Sequence, residues 1–184
     1  MLFFATAALA VHVDARPPPD QTTEQHIVSE INRAGEIINE LKQSPDVIAL
    51  MRQLKPDIDE FHRTVIQNQI RHKYETALYA GDVQPGLVTP LASLFARNIV
   101  EGIHVVLTEQ EDSIVIYFLC NTKTALYKLG QMVTSGYLHD VFESVIQSLT
   151  HTVVAVDVYI RAEEFNLRLS CLSSSQDTGL LFDR

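Results

Sequence analysis

Histidine, cysteine and clustered acids are the residue types with which this chain could do chemistry, so their spacing comes first. His139, Asp140 and Glu143 fall within about one helical turn, and His139 and Glu143, four apart on one face, could share a metal ion. Two ligands leave a tetrahedral site half built, and such a pair is more commonly a solvated helix face. His104 alternates with Ile103, Val105 and Leu107, the setting of a structural histidine in a strand. Cys120 and Cys171 match no CxxC spacing, and each follows an apolar run, which points to two buried thiols. No cationic residue adjoins Cys120 to favour its thiolate. The sequence contains no Gly-rich phosphate loop, GxSxG elbow, HExxH pair or paired-carboxylate pattern. It therefore assigns no catalytic, cofactor-binding or metal residue, and no cofactor is expected.

Composition narrows the partners. A chain of 184 residues fits one domain of ordinary size, or a domain with an extension, and can bury a core without staples. Hydrophobic residues make up 46% and charged residues 20%, a folded rather than a disordered composition. A net charge of -9 with only 14 Lys and Arg argues against a phosphate-backbone footprint. The basic cluster at Arg71, His72 and Lys73 sits inside a predicted helix and is too short for an anionic-membrane anchor. Two cysteines are too few for a secreted disulfide scaffold, so a reducing, cytoplasmic setting is expected. Secretion is the alternative if residues 1–15, with the apolar run Leu2 to Val11 and small residues near Ala15, are a cleaved signal. That run is too short to span a bilayer.

The elements that must position any site follow from periodicity. Residues 1–21 read as an apolar segment and a Pro-rich linker, because Pro17, Pro18 and Pro19 favour an extended path, and the folded part is expected to begin after them. Residues 22–98 read as a helical region. Ile27, Ile31, Ala34, Ile38 and Leu41 mark one amphipathic helix; Val47, Leu50, Met51 and Leu54 mark a shorter one. From Pro56, a stripe through Ile58, Phe61, Val65, Ile70, Tyr74 and Leu78 runs to Gly81. Val83 to Thr89 reads as a loop, and Pro90 to Arg97 as one or two helical turns. Residues 99–174 change period. A strand at Ile103 to Leu107 and an apolar run at Ser113 to Cys120 should pair as a hairpin, the second being a central strand covered on both faces. A helix with Leu126, Leu129, Met132 and Val133 on its buried face is broken at Ser135 and Gly136, and a second helical face follows from Tyr137 to Leu149. Val153 to Ile160 is a third strand. Phe165, Leu167, Leu169 and Cys171 alternate like a strand, but Phe165, Leu169 and Leu172 share a helix face, and Glu163 and Glu164 in a first turn favour the helix. Residues 175–184 read as a polar tail.

Two short patterns resemble known families. The run from Arg97 and Asn98 to His104 resembles the Arg, polar, four residues, His motif of helical endoribonucleases of the HEPN type. Here the spacing is one residue too long and the histidine falls in a predicted strand, so that activity would need a helical pocket joining Arg97 to His104. The second pattern is the order of Ser113 to Cys120, then Met132 to Phe142 with its Ser-Gly break, then Val156 to Phe165 with its acidic pair. Over about residues 100–174 it resembles the N-terminal domain of the TNF-receptor-associated death-domain adaptor (TRADD) and the related domains of invertebrate immune-type proteins. The matching positions are Ser135, Gly136, Leu138 and Phe142 at the break and restart, and Glu163, Glu164 and Phe165 at the last helix. The resemblance implies an α/β sandwich that recruits protein partners in immune or cell-death signalling without catalysis. It transfers no partner-binding residue, and no death domain is recognisable after Cys171. The expectation is thus an α+β chain, a helical region leading into a small, mostly antiparallel sheet packed with helices. It would bind unidentified proteins, not nucleic acid or a membrane interior, and self-association into a homo-oligomer is compatible with it. A helical nuclease or other enzyme is the runner-up, and a secreted binding protein comes third.

Overall fold

Leu9, Val11 and Val13 alternate with Ala8, Ala10 and His12, and this period of two makes a strand of the first described residues. The computed structural model describes residues 8–111 and 113–182, with side chains through Ser173. In it, β1 (Ala8–Arg16) lies between β3 (Ile114–Cys120) and β4 (Ala155–Tyr159). A further strand, β2 (Ile103–Gln110), flanks β3, so the sheet order is β2-β3-β1-β4. Every pairing is antiparallel.

This overturns the expectation that the fold begins after residue 21. Val11 is 0% exposed and pairs with Ile116, while Leu9 and Val13 pair with Phe118 and Ile114. The reason lies in what a local reading can see. A short apolar run has the same composition whether it is a leader or a buried strand, and the partners that make it a strand are on β3 and β4, far along the chain. The signal-peptide expectation for residues 1–15 falls partly outside the described residues; cleavage after Ala15 would take β1 out of the sheet.

Seven helices are seen among the described residues: α1 (Gln21–Leu41), α2 (Pro45–Arg52), α3 (Glu60–Ala80), α4 (Pro85–Val100), α5 (Lys123–Thr134), α6 (Tyr137–Thr150) and α7 (Ala162–Phe182). The chain is therefore an α+β protein, a four-stranded antiparallel sheet packed with helices. Side chains of Asp20, Ser44 and Asp59 cap α1, α2 and α3 by accepting from the backbone N–H three residues on. Helix α1 buries Ile27, Ile31, Ala34 and Ile38, the face its spacing predicts. On α3 the buried face is Ile66, Ile70, Tyr74 and Leu78, which leaves Phe61 and Val65 exposed. The predicted stripe is one residue out of phase in its first half, because successive spacings of three and four can be threaded from either start.

The predicted loop at Val83 to Thr89 is mostly the first turn of α4, with Pro85 at its start and Pro90 inside it. An interior proline leaves the carbonyl four residues back, that of Gly86, without its helical donor. The Ser148 hydroxyl of α6 donates to Gly86 O at 3.3 Å instead. Any Cβ at Gly86 would stand 2.8 Å from that hydroxyl, so glycine is what lets α6 come close enough to make the repair. One buried cluster draws on α1 through α6 and all four strands, so helical region and sheet share a single core. Ser135 and Gly136 separate α5 from α6 completely, and Gly136 at φ 82° takes the left-handed conformation that a side chain disfavours. The last element is a helix: Phe165, Leu169 and Leu172 pack on the core, Leu167 points outward, and the backbone stays helical through Phe182, where a polar tail was expected from residue 175.

Because β1 holds two neighbours, its core residues are expected to be costly to trim. Leu9→Ala should lower stability by about 2–5 kcal/mol in urea unfolding, and Val11→Asp should leave no cooperative transition. A linker-like N-terminus would make both changes nearly silent.

Candidate functional site

The candidate chemistry residues are held apart. On α6, His139 Nδ1 lies 3.1 Å from Asp140 Oδ1 and His139 Nε2 lies 3.3 Å from Glu143 Oε2, so both ring nitrogens face carboxylates on one solvated side. Among the described residues no group of three or more His, Cys, Asp or Glu is placed to hold a metal ion. The Arg97 guanidinium lies 4.1 Å from the centre of the Tyr137 ring, a cation–π contact between α4 and α6. His104, in β2 as its alternation predicts, has Nδ1 3.2 Å from Lys42 Nζ at the end of α1. Arg97 and His104 thus serve different partners. Asn98, next to Arg97, is buried with neither amide atom bonded, and nothing in the structure explains it.

The two thiols differ. Cys120 closes β3 inside the core, and burial pushes its pKa up to about 12. Cys171 sits exposed on α7, contrary to the expectation of two buried thiols, because in a helix it shares the outward face of Leu167, four residues before it, and not the inward face of Phe165, Leu169 and Leu172.

Polar groups converge instead on the outer face of the sheet. Leu9, Val11, Val13, Ile114, Ile116 and Phe118 point to the helical core; Ala10, His12, Asp14, Val115, Tyr117 and Leu119 point the other way. The first turns of α7 lie on this second face. His12, 4% exposed, stacks on Tyr159 with ring centres 5.1 Å apart, and its Nε2 is 3.9 Å from Glu164 Oε1. Arg161 reaches the same Glu164 oxygen at 3.7 Å, and the Tyr117 hydroxyl donates to Glu111 at 3.1 Å. A cleft of about 280 Å³ opens between α7 and the strands, lined by Ala10, His12, Tyr117, Glu164, Leu167 and Arg168. Toward β2 the face is bare. Leu107, opposite Tyr117, is 42% exposed; Val106, at the bulge, is also exposed, and Leu167 on α7 is 58% exposed.

The positions carried by the TRADD resemblance fall in two places. Ser135 and Gly136 shape the α5–α6 turn, and Leu138 and Phe142 are core residues beneath it. Glu163, Glu164 and Phe165 start α7, where Glu164 faces His12 and Phe165 meets Tyr127 of α5 with ring centres 6.1 Å apart. His12 and Tyr117 had no signal in the sequence as site residues, since their strand partners decide which way they point. No helix among the described residues is long and apolar enough to cross a membrane. No family model, curated protein or solved structure matches the chain.

Native chain treated with an aromatic disulfide reagent should release about one equivalent of chromophore quickly, from Cys171, and the second only on unfolding. Cys171→Ser should remove the fast phase; two fast thiols would contradict the burial of Cys120. A pH effect follows from His104, whose pKa burial, and then the Lys42 charge, hold below the ordinary 6.5. The unfolded chain therefore takes up this proton first. Stability from neutral His104 is complete above the ordinary value and is lost as pH falls from there toward the folded value. His104→Gln should flatten urea midpoints between about pH 7 and 5 relative to wild type; parallel profiles would refute this.

Proposed function

We propose that this chain is a non-catalytic protein-interaction module, an adaptor in immune or cell-death signalling of the kind the TRADD N-terminal resemblance implies. The observation that carries the reading is apolar surface left exposed in this part of the molecule: Val106 and Leu107 on β2, and Leu167 on α7, where it lines a cleft with the charged Glu111, Arg161 and Arg168. Apolar surface bordered by charge is what a protein partner covers. Catalysis instead calls for an acid or base, an orienting group and a reacting atom within hydrogen-bond reach. Arg97 and His104 are engaged by Tyr137 and Lys42, which disfavours the nuclease alternative. With a net charge of -9, electrostatic steering favours partners with a basic rim.

The test is a paired capture. Wild-type chain and the double variant Leu107→Glu/Leu167→Glu, altered only at exposed positions, are used as baits in cytosolic extract, and bound proteins are identified by mass spectrometry. A defined set that includes signalling receptors or adaptors should stay with the wild type and leave the variant. Identical sets from the two baits, or a measured turnover abolished by His104→Ala, would end the proposal.

A further inference from the structure

The two edges of the sheet are finished differently. At β2, Asn32 of α1 stands where another strand would: its Nδ2 donates to the Thr108 carbonyl and its Oδ1 accepts from the Thr108 N–H, both at 2.8 Å. That edge is closed at its middle. Beyond β4, the last strand in the order, the described residues place no hydrogen-bonding partner. Val153 is 90% exposed there, and Ala155 and Asp157 are exposed as well.

Ladder alternation fixes which groups are free. In an antiparallel ladder a residue sends its N–H and C=O to one side, and the next residue sends both to the other. Thr108 sends both away from β3, to Asn32, so its pair Ile116 must bond the opposite neighbour, Val11 of β1. The alternate residues of β1, His12, Asp14 and Arg16, then bond Tyr159, Asp157 and Ala155 of β4. What remains pointing outward is the N–H and C=O of Val156 and of Val158. Their side chains face the core side of the sheet, while the Asp157 carboxylate between them stands on the outer face.

We propose that this edge takes an extended segment of a partner protein as an added strand, with Lys or Arg opposite Asp157 and apolar residues on either side. Backbone pairing to Val156 and Val158 would supply affinity, and the flanking side chains specificity. The residue opposite Asp157 falls in a non-hydrogen-bonded pair, the closer kind, so its charge decides the fit. Asp157 has Arg16 at 3.5 Å, but both groups are more than half exposed, and such a pair holds weakly. Asp14, opposite Asp157 on β1, adds to the negative field on this face. A second copy of the chain fits less well, because the two-fold register with full overlap sets Asp157 against Asp157. The site deepens the module reading and rests on it, but it uses a surface apart from Leu107 and Leu167.

The experiment uses the full chain and a fluorescein-labelled peptide, Thr-Val-Lys-Val-Thr, followed by anisotropy to millimolar protein. Saturable binding is expected, weakened about tenfold when Glu replaces Lys in the peptide. N-methylation of both valine amides, which face β4, should abolish it; N-methylation of the lysine amide, which faces away, should not. Asp157→Lys should reverse the preference to the Glu peptide. Val158→Pro removes no N–H that the sheet itself uses and keeps an apolar ring on the core side, so it should block binding while circular dichroism stays unchanged. No binding, or equal binding of the two methylated peptides, would overturn the site. Dimerisation in sedimentation that Val158→Pro abolishes would also overturn it, by giving the edge to a second copy. Either result could coexist with intact capture through Leu107 and Leu167, so this site can fail while the module reading stands.

Discussion

The pairing of β1 with β3 on one side and β4 on the other is the constraint from which the architecture follows. A nine-residue strand near the start of the chain joins two strands that lie more than a hundred residues away in sequence. Without it β4 has no partner, β3 becomes an edge, and the core under Leu9, Val11 and Val13 loses its floor. Non-local pairing of this kind carries a loop-closure cost that local helix formation does not, and burial of the strand's apolar face has to offset it. The same placement orients His12 toward α7 and leaves β4 as the open edge.

What the sequence made legible was whatever depended on near neighbours. The β2–β3 hairpin, the α1 face and the helix–break–helix at Gly136 all follow from spacing and turn chemistry within a few residues. The α7 choice was legible too, because acids in a first turn and the Phe165, Leu169 and Leu172 face agreed. Features set by distant partners were not. The strand at Ala8–Arg16 needs β3 and β4 to be seen; the helix through Pro90 needs the Ser148 hydroxyl; the phase of α3 is decided by what packs against Ile66 and Tyr74. The outer-face cluster of His12, Tyr117, Tyr159 and Glu164 belongs to the same class, since its members come from three strands and a helix.

These placements are what the proposed module reading rests on. The three groups that the sequence singled out for chemistry are engaged apart from one another, Arg97 by an aromatic ring, His104 by Lys42 and His139 by two carboxylates, whereas His12, Tyr159 and Glu164 meet on the outer face. Groups suited to recognition lie at the surface: apolar side chains on the bare part of the outer face, and free backbone at β4. The contrast between a β2 edge blocked by Asn32 and a β4 edge guarded by one exposed carboxylate is what favours a strand-binding role over accidental exposure.

The most direct test is residue-resolved hydrogen exchange. The amides of Val11 and Val13, bonded to β3 in the middle of the sheet, should exchange only through global unfolding, with protection that falls in step with stability as urea is added. The amides of Val156 and Val158, facing outward, should exchange quickly without that opening. Fast exchange at Val11 and Val13, or strong protection at Val156 and Val158, would contradict both the central strand and the open edge.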